Sequence, residues 1–249
     1  MDWGRAKNIL IYAFLLLNIV LGYQLWQEVR DQMHSELDWT SLSDASKKMM
    51  EVKKIQVTAK IPSETPALRE ITYRFVKRGD QMEPLKQPQD TKIVFMENDL
   101  IKSLQGDIPH IEMYRYDPLT GRNGTFVLYQ RLPNSLPIFE VTLELAHSQQ
   151  KIKGFRQQYV ELIEAKESKE QKILPASQAL EHVILSALMS GAVVKDVQLG
   201  YHGQIFDAAN TQVAAPSWRI LLENDEVYYV NAISGAIDTP QEGKKENDR

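Results

Sequence analysis

Residues 9–26 read ILIYAFLLLNIVLGYQLW, eighteen consecutive positions without a charge. As a helix rising about 1.5 Å per residue, such a run nearly spans a hydrocarbon core of roughly 30 Å. The rest of the sequence has no comparable stretch, so a membrane rather than a protein core is its expected surrounding. A cleaved leader needs small residues after the apolar run, whereas Gln24, Leu25, Trp26 and Gln27 follow here. The segment is therefore expected to stay as a single-pass anchor. Arg5 and Lys7 precede it, and Glu28, Arg30 and Asp31 follow. Positive charge stays inside, so residues 1–8 form a cytoplasmic tail and everything beyond residue 26 lies outside the cell membrane. Trp3, Tyr23 and Trp26 sit where aromatic rings mark the two interfaces.

Within the run, Ile11, Leu15, Asn18, Gly22 and Leu25 recur at alternating spacings of four and three, which places them on one seam of a helix. An amide near mid-membrane is costly without a partner, and glycine one turn later lets another backbone approach. This seam is the candidate contact with a partner's transmembrane helix.

The remainder reads as α+β, with antiparallel sheets and packed helices. A juxtamembrane stalk is expected over 27–40, a first extracytoplasmic unit over 41–135, a second over 136–240 and a frayed tail over 241–249. Ser41 or Ser43 caps a helix with Ala45, Met49 and Val52 on one face. Alternation predicts strands over 54–62 (Ile55, Val57, Ala59 and Ile61 inward), 68–77, 92–97, 111–116 and 125–131. Residues 79–89 read as a polar, proline-bearing loop. The clearest hairpin pairs 138–146 with 151–163 across residues 147–150. After a charged linker at 166–172, Pro175 and Ser177 open a helix with the face Leu180, Val183, Ile184, Ala187 and Leu188, closed by Gly191. Strands follow at 193–201, 217–223 and 227–232. A helix followed by a strand thus occurs twice, at 41–61 and 177–201, which hints at two related units.

Chemistry is scarce in this sequence. The formal charge of -4 arises from scattered residues, 29 basic and 33 acidic, so no basic face for nucleic acid is expected. There is no cysteine, hence no disulfide, no thiol nucleophile and no Cys-ligated zinc. An exported domain without disulfides relies on its core, a habit commoner in Gram-positive bacteria. His34, His110, His147, His182 and His202 are scattered without metal-ligand spacing, and His110-Ile-Glu112 lacks the cysteine pair of a zinc deaminase. No G-x-S-x-G elbow or Gly-rich phosphate loop is present. The expectation is a protein with no catalytic residue, metal or cofactor.

Two stretches resemble a known family. Met1-Asp2-Trp3-Gly4-Arg5-Ala6-Lys7-Asn8-Ile9, with Asn18 and the Leu21-Gly22-Tyr23-Gln24-Leu25 segment, resembles the start of the YycI (WalI) family of Firmicutes. Ala215-Pro216-Ser217-Trp218 and Tyr228-Tyr229-Val230-Asn231 resemble its closing hairpin, which is similar to PepSY modules. The resemblance implies a regulator of the YycFG (WalRK) two-component system, acting with YycH through transmembrane contacts with the sensor histidine kinase YycG/WalK, which controls cell-wall metabolism. The alternative is a PepSY-like domain that inhibits a protease or binds an envelope ligand, with its helix only a tether. Trp218, Ile220 and Leu222 share a strand face and are expected to fill the core.

Overall fold

The structure is a computed structural model that describes residues 7–8, 11–18, 20–23, 42–121, 124–163, 169–206 and 211–238. The stalk at 27–40 and the tail at 241–249 lie outside the described residues. Among them the architecture is mixed α+β, with few helices and one twelve-stranded sheet whose pairings are mostly antiparallel.

Besides the helical N-terminal segment, the described residues hold the helices α1 (Asp44–Lys53), α2 (Glu97–Leu104) and α3 (Ala176–Ser186). The Ser43 side chain accepts the Ser46 backbone N–H and so caps α1, as the sequence suggests. Its buried side is Ser46 and Met50, however, while Ala45 and Val52 are exposed and Met49 is half-buried. The expected face is thus rotated, because Leu42 and Ile55 at the helix ends fix which side meets the core. In α3 the expected face is the buried one, with Leu180, Val183 and Ile184 fully enclosed, Leu188 just beyond, and Ala187 at its margin. The helix ends at Ser186; Gly191, four residues past its C-cap Ala187, supplies a left-handed turn at φ 82.

The strands in order are β1 (Gln56–Val57), β2 (Ala67–Leu68), β3 (Ile71–Lys77), β4 (Glu83–Asp90), β5 (Tyr114–Tyr116), β6 (Thr125–Arg131), β7 (Pro137–Ser148), β8 (Lys151–Gln157), β9 (Tyr159–Ile163), β10 (Gln171–Lys172), β11 (Val193–His202), β12 (Thr211–Leu222), β13 (Val227–Asn231) and β14 (Ile237–Asp238). The main path runs β14-β13-β12-β11-β7-β6-β5. β7 and β8 form the expected hairpin, turned by Gln149 and Gln150, both at positive φ, the backbone that a two-residue loop requires.

Five expectations are corrected. The loop at 79–89 contains β4, whose Pro84 and Pro88 are tolerated because the strand pairs on one side only, with β8, and shifts register between Pro84 and Gln89. The strand expected at 92–97 is a 3-10 turn (Thr91–Phe95), capped by Asp90, that leads into α2. Glu97 and Asp99 in the first turn of α2 suit a helix N-terminus, and Leu100 and Leu104 point inward one turn apart. At 111–116 only Tyr114–Tyr116 is strand, preceded by a second 3-10 turn. Finally, 151–163 is two strands rather than one. The chain leaves β7 at Gln158, whose side-chain oxygen accepts the Thr142 N–H at 3.1 Å, and continues as β9 beside β3. Of residues 54–62 only β1 pairs, in parallel with β11, although Ile55, Val57, Ala59 and Ile61 are all buried as the alternation predicts.

Three apolar clusters result. One joins residues 42–68 to α3, β11, β12 and β13, and includes Trp218, Ile220 and Leu222 as expected. A second lies under α2 and includes Leu128, Leu143, Leu145 and Phe155. The third, around Tyr73, Ile138, Val141 and Tyr201, sits where β3, β7, β9 and β11 come together. β7 contributes to two of the clusters because its inward residues alternate along twelve positions.

Candidate functional site

Of the five seam residues, four lie in the helical N-terminal segment and Leu25 lies outside the described residues. Residues 11–18 and 20–23 are helical, with Ile11 and Leu15 about half exposed and open space around Gly22. Asn18 donates its side-chain amide to the Phe14 carbonyl at 2.8 Å, which satisfies one N–H locally and leaves its own carbonyl oxygen available. Tyr12, Phe14, Leu16, Leu17 and Leu21 are also exposed, so apolar surface surrounds the helix. Among the described residues, no helix is long and apolar enough to cross a membrane.

The sheet carries a second concentration of unusual chemistry. Arg219 on β12 is 1% exposed. Its Nη1 meets Asp117 Oδ2 at 2.6 Å and its Nη2 meets Asp196 Oδ2 at 3.0 Å, while its guanidinium lies over the rings of Tyr129 and Phe139. Burial pulls its pKa down, but Asp117 foremost raises it further, so the cation is secured. Phe139 in turn meets Tyr229, and Tyr229 stacks on His202 at 3.7 Å. A side chain at residue 200 would strike the Phe139 ring at 2.6 Å, hence Gly200.

At the other end of this aromatic row, His202 Nδ1 contacts Glu140 and Nε2 contacts Asp238 at 3.2 Å. Burial lowers the pKa of His202, but hydrogen bonding and charge from Glu140, then Asp238, outweigh it and raise it overall. Glu140 is itself raised, by burial first and only partly offset by His202. Both clusters join residues remote in sequence.

Two cavities lie near Arg219. One, about 260 Å³, is polar and lined by Arg115, Asp117, Asp196 and Arg219 among others; its neighbour, about 470 Å³, has largely apolar walls including Pro62, Pro66, Leu68 and Leu199. Arg131, Pro137, Val197 and Gln198 belong to both. No group of three or more His, Asp or Glu side chains among the described residues is arranged to hold a metal ion.

A family model described as YycI protein matches residues 80–233, well over half the chain. The chain belongs to the YycI family. That family is one of regulatory proteins associated with the YycFG system. The matched stretch of this YycI chain runs from just before β4 through β13 and contains Arg219, His202 and the closing hairpin. No curated protein matches it. Two solved structures are similar at low identity. An uncharacterized protein from Eubacterium rectale ATCC 33656 is 14% identical over 47% of this chain and 42% of that one, with a TM-score of 0.33. The Bacillus megaterium YpeB C-terminal domain is 11% identical over 80% of this chain and 97% of that one, with a TM-score of 0.36. The chain thus spans less than half of the first of these.

Sequence reasoning overlooked both ionic clusters and both cavities. A signal for one was present: Arg219 is the lone charge in the run Trp218-Arg219-Ile220-Leu221-Leu222, and a charge inside a buried strand implies buried partners. Asp117 and Asp196 carry no comparable mark. His202 gave none either, because Glu140 and Asp238 reach it through strand pairing rather than spacing.

Proposed function

We propose that this YycI-family chain is a non-enzymatic, membrane-anchored regulator of the sensor histidine kinase YycG/WalK, acting with YycH. Residues 9–26 form the anchor, with the N-terminus cytoplasmic and the sheet region extracytoplasmic. The family match over 80–233 carries the reading. The exposed apolar helical residues 11–18 and 20–23 support it, since a surface of this kind needs lipid or another helix around it. As an organisational reading we keep two α+β units, 41–135 and 136–240, the second PepSY-like. We also keep Ile11, Leu15, Asn18, Gly22 and Leu25 as the seam that meets a partner helix, with Asn18 Oδ1 as the acceptor offered across it.

Replacing residues 9–26 by an unrelated membrane helix tests this. Loss of kinase-dependent transcription at unchanged protein level is the expected result. Full regulation by the chimera would reduce the helix to a tether.

A further inference from the structure

β14 closes one edge of the main sheet with only two residues, Ile237 opposite Val230 and Asp238 opposite Tyr229. β13 beneath it is five residues long, so Val227 and Tyr228 have no strand on that side. The ladder alternates, and because Glu226 and Ala232 bond towards β12, Val227 turns its N–H and C=O to the open edge, as Tyr229 does. Pro240, which the same register would bring opposite Val227, has no N–H to donate. The chain's own next residues therefore cannot complete the ladder, and an edge with unpaired backbone groups is a template for another strand.

The hold on β14 is slight and comes from both faces of the sheet. Half-buried Ile237 packs at the margin of the cluster that contains Val230 and Trp218. On the opposite face, which carries Tyr229 and Arg219, Asp238 meets His202 Nε2 at 3.2 Å with its carboxylate 46% exposed, and such an ion pair contributes little. The turn before β14 stands without it. The Asn231 side chain accepts the Ile233 and Ser234 N–H groups at 2.9 Å, Asn231 and Ala236 share a backbone bond, and His182 on α3 meets the Gly235 carbonyl at 3.2 Å. β14 can thus lift from a pivot after Ala236 while the turn stays formed.

We propose that β14 is a built-in competitor on a strand-docking site, and that the edge of β13 takes an extended segment of another protein. In that segment an apolar residue is followed directly by an acidic one and then by β-branched residues. The apolar side chain replaces Ile237, the carboxylate replaces Asp238 on His202, and the next two residues pair with Tyr228 and Val227. The longer ladder favours the exchange. This site goes beyond the kinase-regulator reading and does not depend on it.

The test uses the full chain in lipid nanodiscs and the peptide acetyl-Ile-Asp-Val-Thr-Lys-amide, with fluorescein on its lysine, read by anisotropy. Val230→Cys combined with Ile237→Cys, in a chain without other cysteines, ties β14 to β13 when oxidised. Saturable binding is expected after reduction with dithiothreitol, and binding about tenfold weaker or more before it. On the wild-type chain, a peptide with Asn for Asp should bind about threefold more weakly, the worth of a half-exposed ion pair. Pro for Thr, which removes the N–H aimed at Val227, should weaken binding at least as much. Should the cysteine pair fail to fold, Ile237→Ser, which loosens β14 alone, must tighten binding of the first peptide instead. Equal binding before and after reduction, no saturation, or equal affinity for the Asp and Asn peptides would each overturn the proposal.

Discussion

The helical residues 11–18 and 20–23 turn Ile11, Phe14, Leu15, Leu16 and Leu21 outward, whereas β7 and β12 enclose Leu143, Leu145, Trp218 and Ile220 completely. The two regions are comparably apolar, yet only the sheet supplies its own cover. Backbone hydrogen bonding explains why each is possible. A helix satisfies its N–H and C=O groups alone and can present side chains to any apolar medium, while a strand must find neighbours and in doing so buries its faces. The lesson is a division of labour. Substitutions in the sheet should change folding, and substitutions in the helix should change association while leaving folding alone.

The largest effect on folding is expected from Arg219→Met. It strips Asp117 and Asp196 of their shared cation, and breaking a buried pair by removing one partner costs about 3–5 kcal/mol. Urea unfolding of the full chain should show it, and a loss below about 1 kcal/mol would mean that the aromatic row, not the ion cluster, holds the strands together. Next comes Leu143→Ala, which opens a cavity in the core under α2 and should cost about 2–5 kcal/mol in the same assay.

A smaller effect separates the two ionic clusters. Arg219 keeps its charge at any working pH, but His202 titrates. Its folded pKa is raised above the ordinary 6.5, so its stabilisation is complete below that value and is lost as pH rises through the raised one. Glu140, also raised, acts in the same direction, because its charged form is the one that burial disfavours. Tyr229 stacked on the imidazole and Tyr73 near Glu140 are both raised, by burial foremost, and stay neutral through this range. The melting temperature should therefore fall as pH rises from about 6 towards 9, and His202→Gln should flatten the dependence. An unchanged profile in His202→Gln would assign the effect elsewhere.

The smallest effect, and the one that belongs to the helix, is Asn18→Leu. It should leave urea unfolding of the sheet unchanged and weaken association with the kinase or YycH about threefold to thirtyfold, the range for about 0.6–2 kcal/mol in a bilayer. The bond from Asn18 to Phe14 favours the lower end, since the amide is already partly satisfied. Co-purification at equal expression measures it, with Leu16→Ile as the unaffected control.

Legibility followed the same division. The helix declared itself through absence of charge, and strands with clean alternation such as β7 and β13 were readable because each repeats one local rule, whereas only the second half of β12 was expected, because residues 216–222 are buried without alternation. α2 was not, since Lys92-Ile93-Val94-Phe95 has strand composition, and only the cap at Asp90 and the buried pair Leu100 and Leu104 decide otherwise. The break at Gln158 was invisible because both halves alternate; it is set by Thr142 on a neighbouring strand. The ionic clusters depend on β7, β11 and β12 meeting in one sheet, information held in topology rather than in any segment.

In the proposed function, one seam of the N-terminal helix carries the coupling to the kinase. The chain contains no cysteine, so single cysteines at Leu15, Gly22 and Leu16 can each carry a photocrosslinker without background. Crosslinks to the kinase or to YycH are expected from positions 15 and 22 and none from 16. Equal crosslinking from all three, or from none, would contradict it.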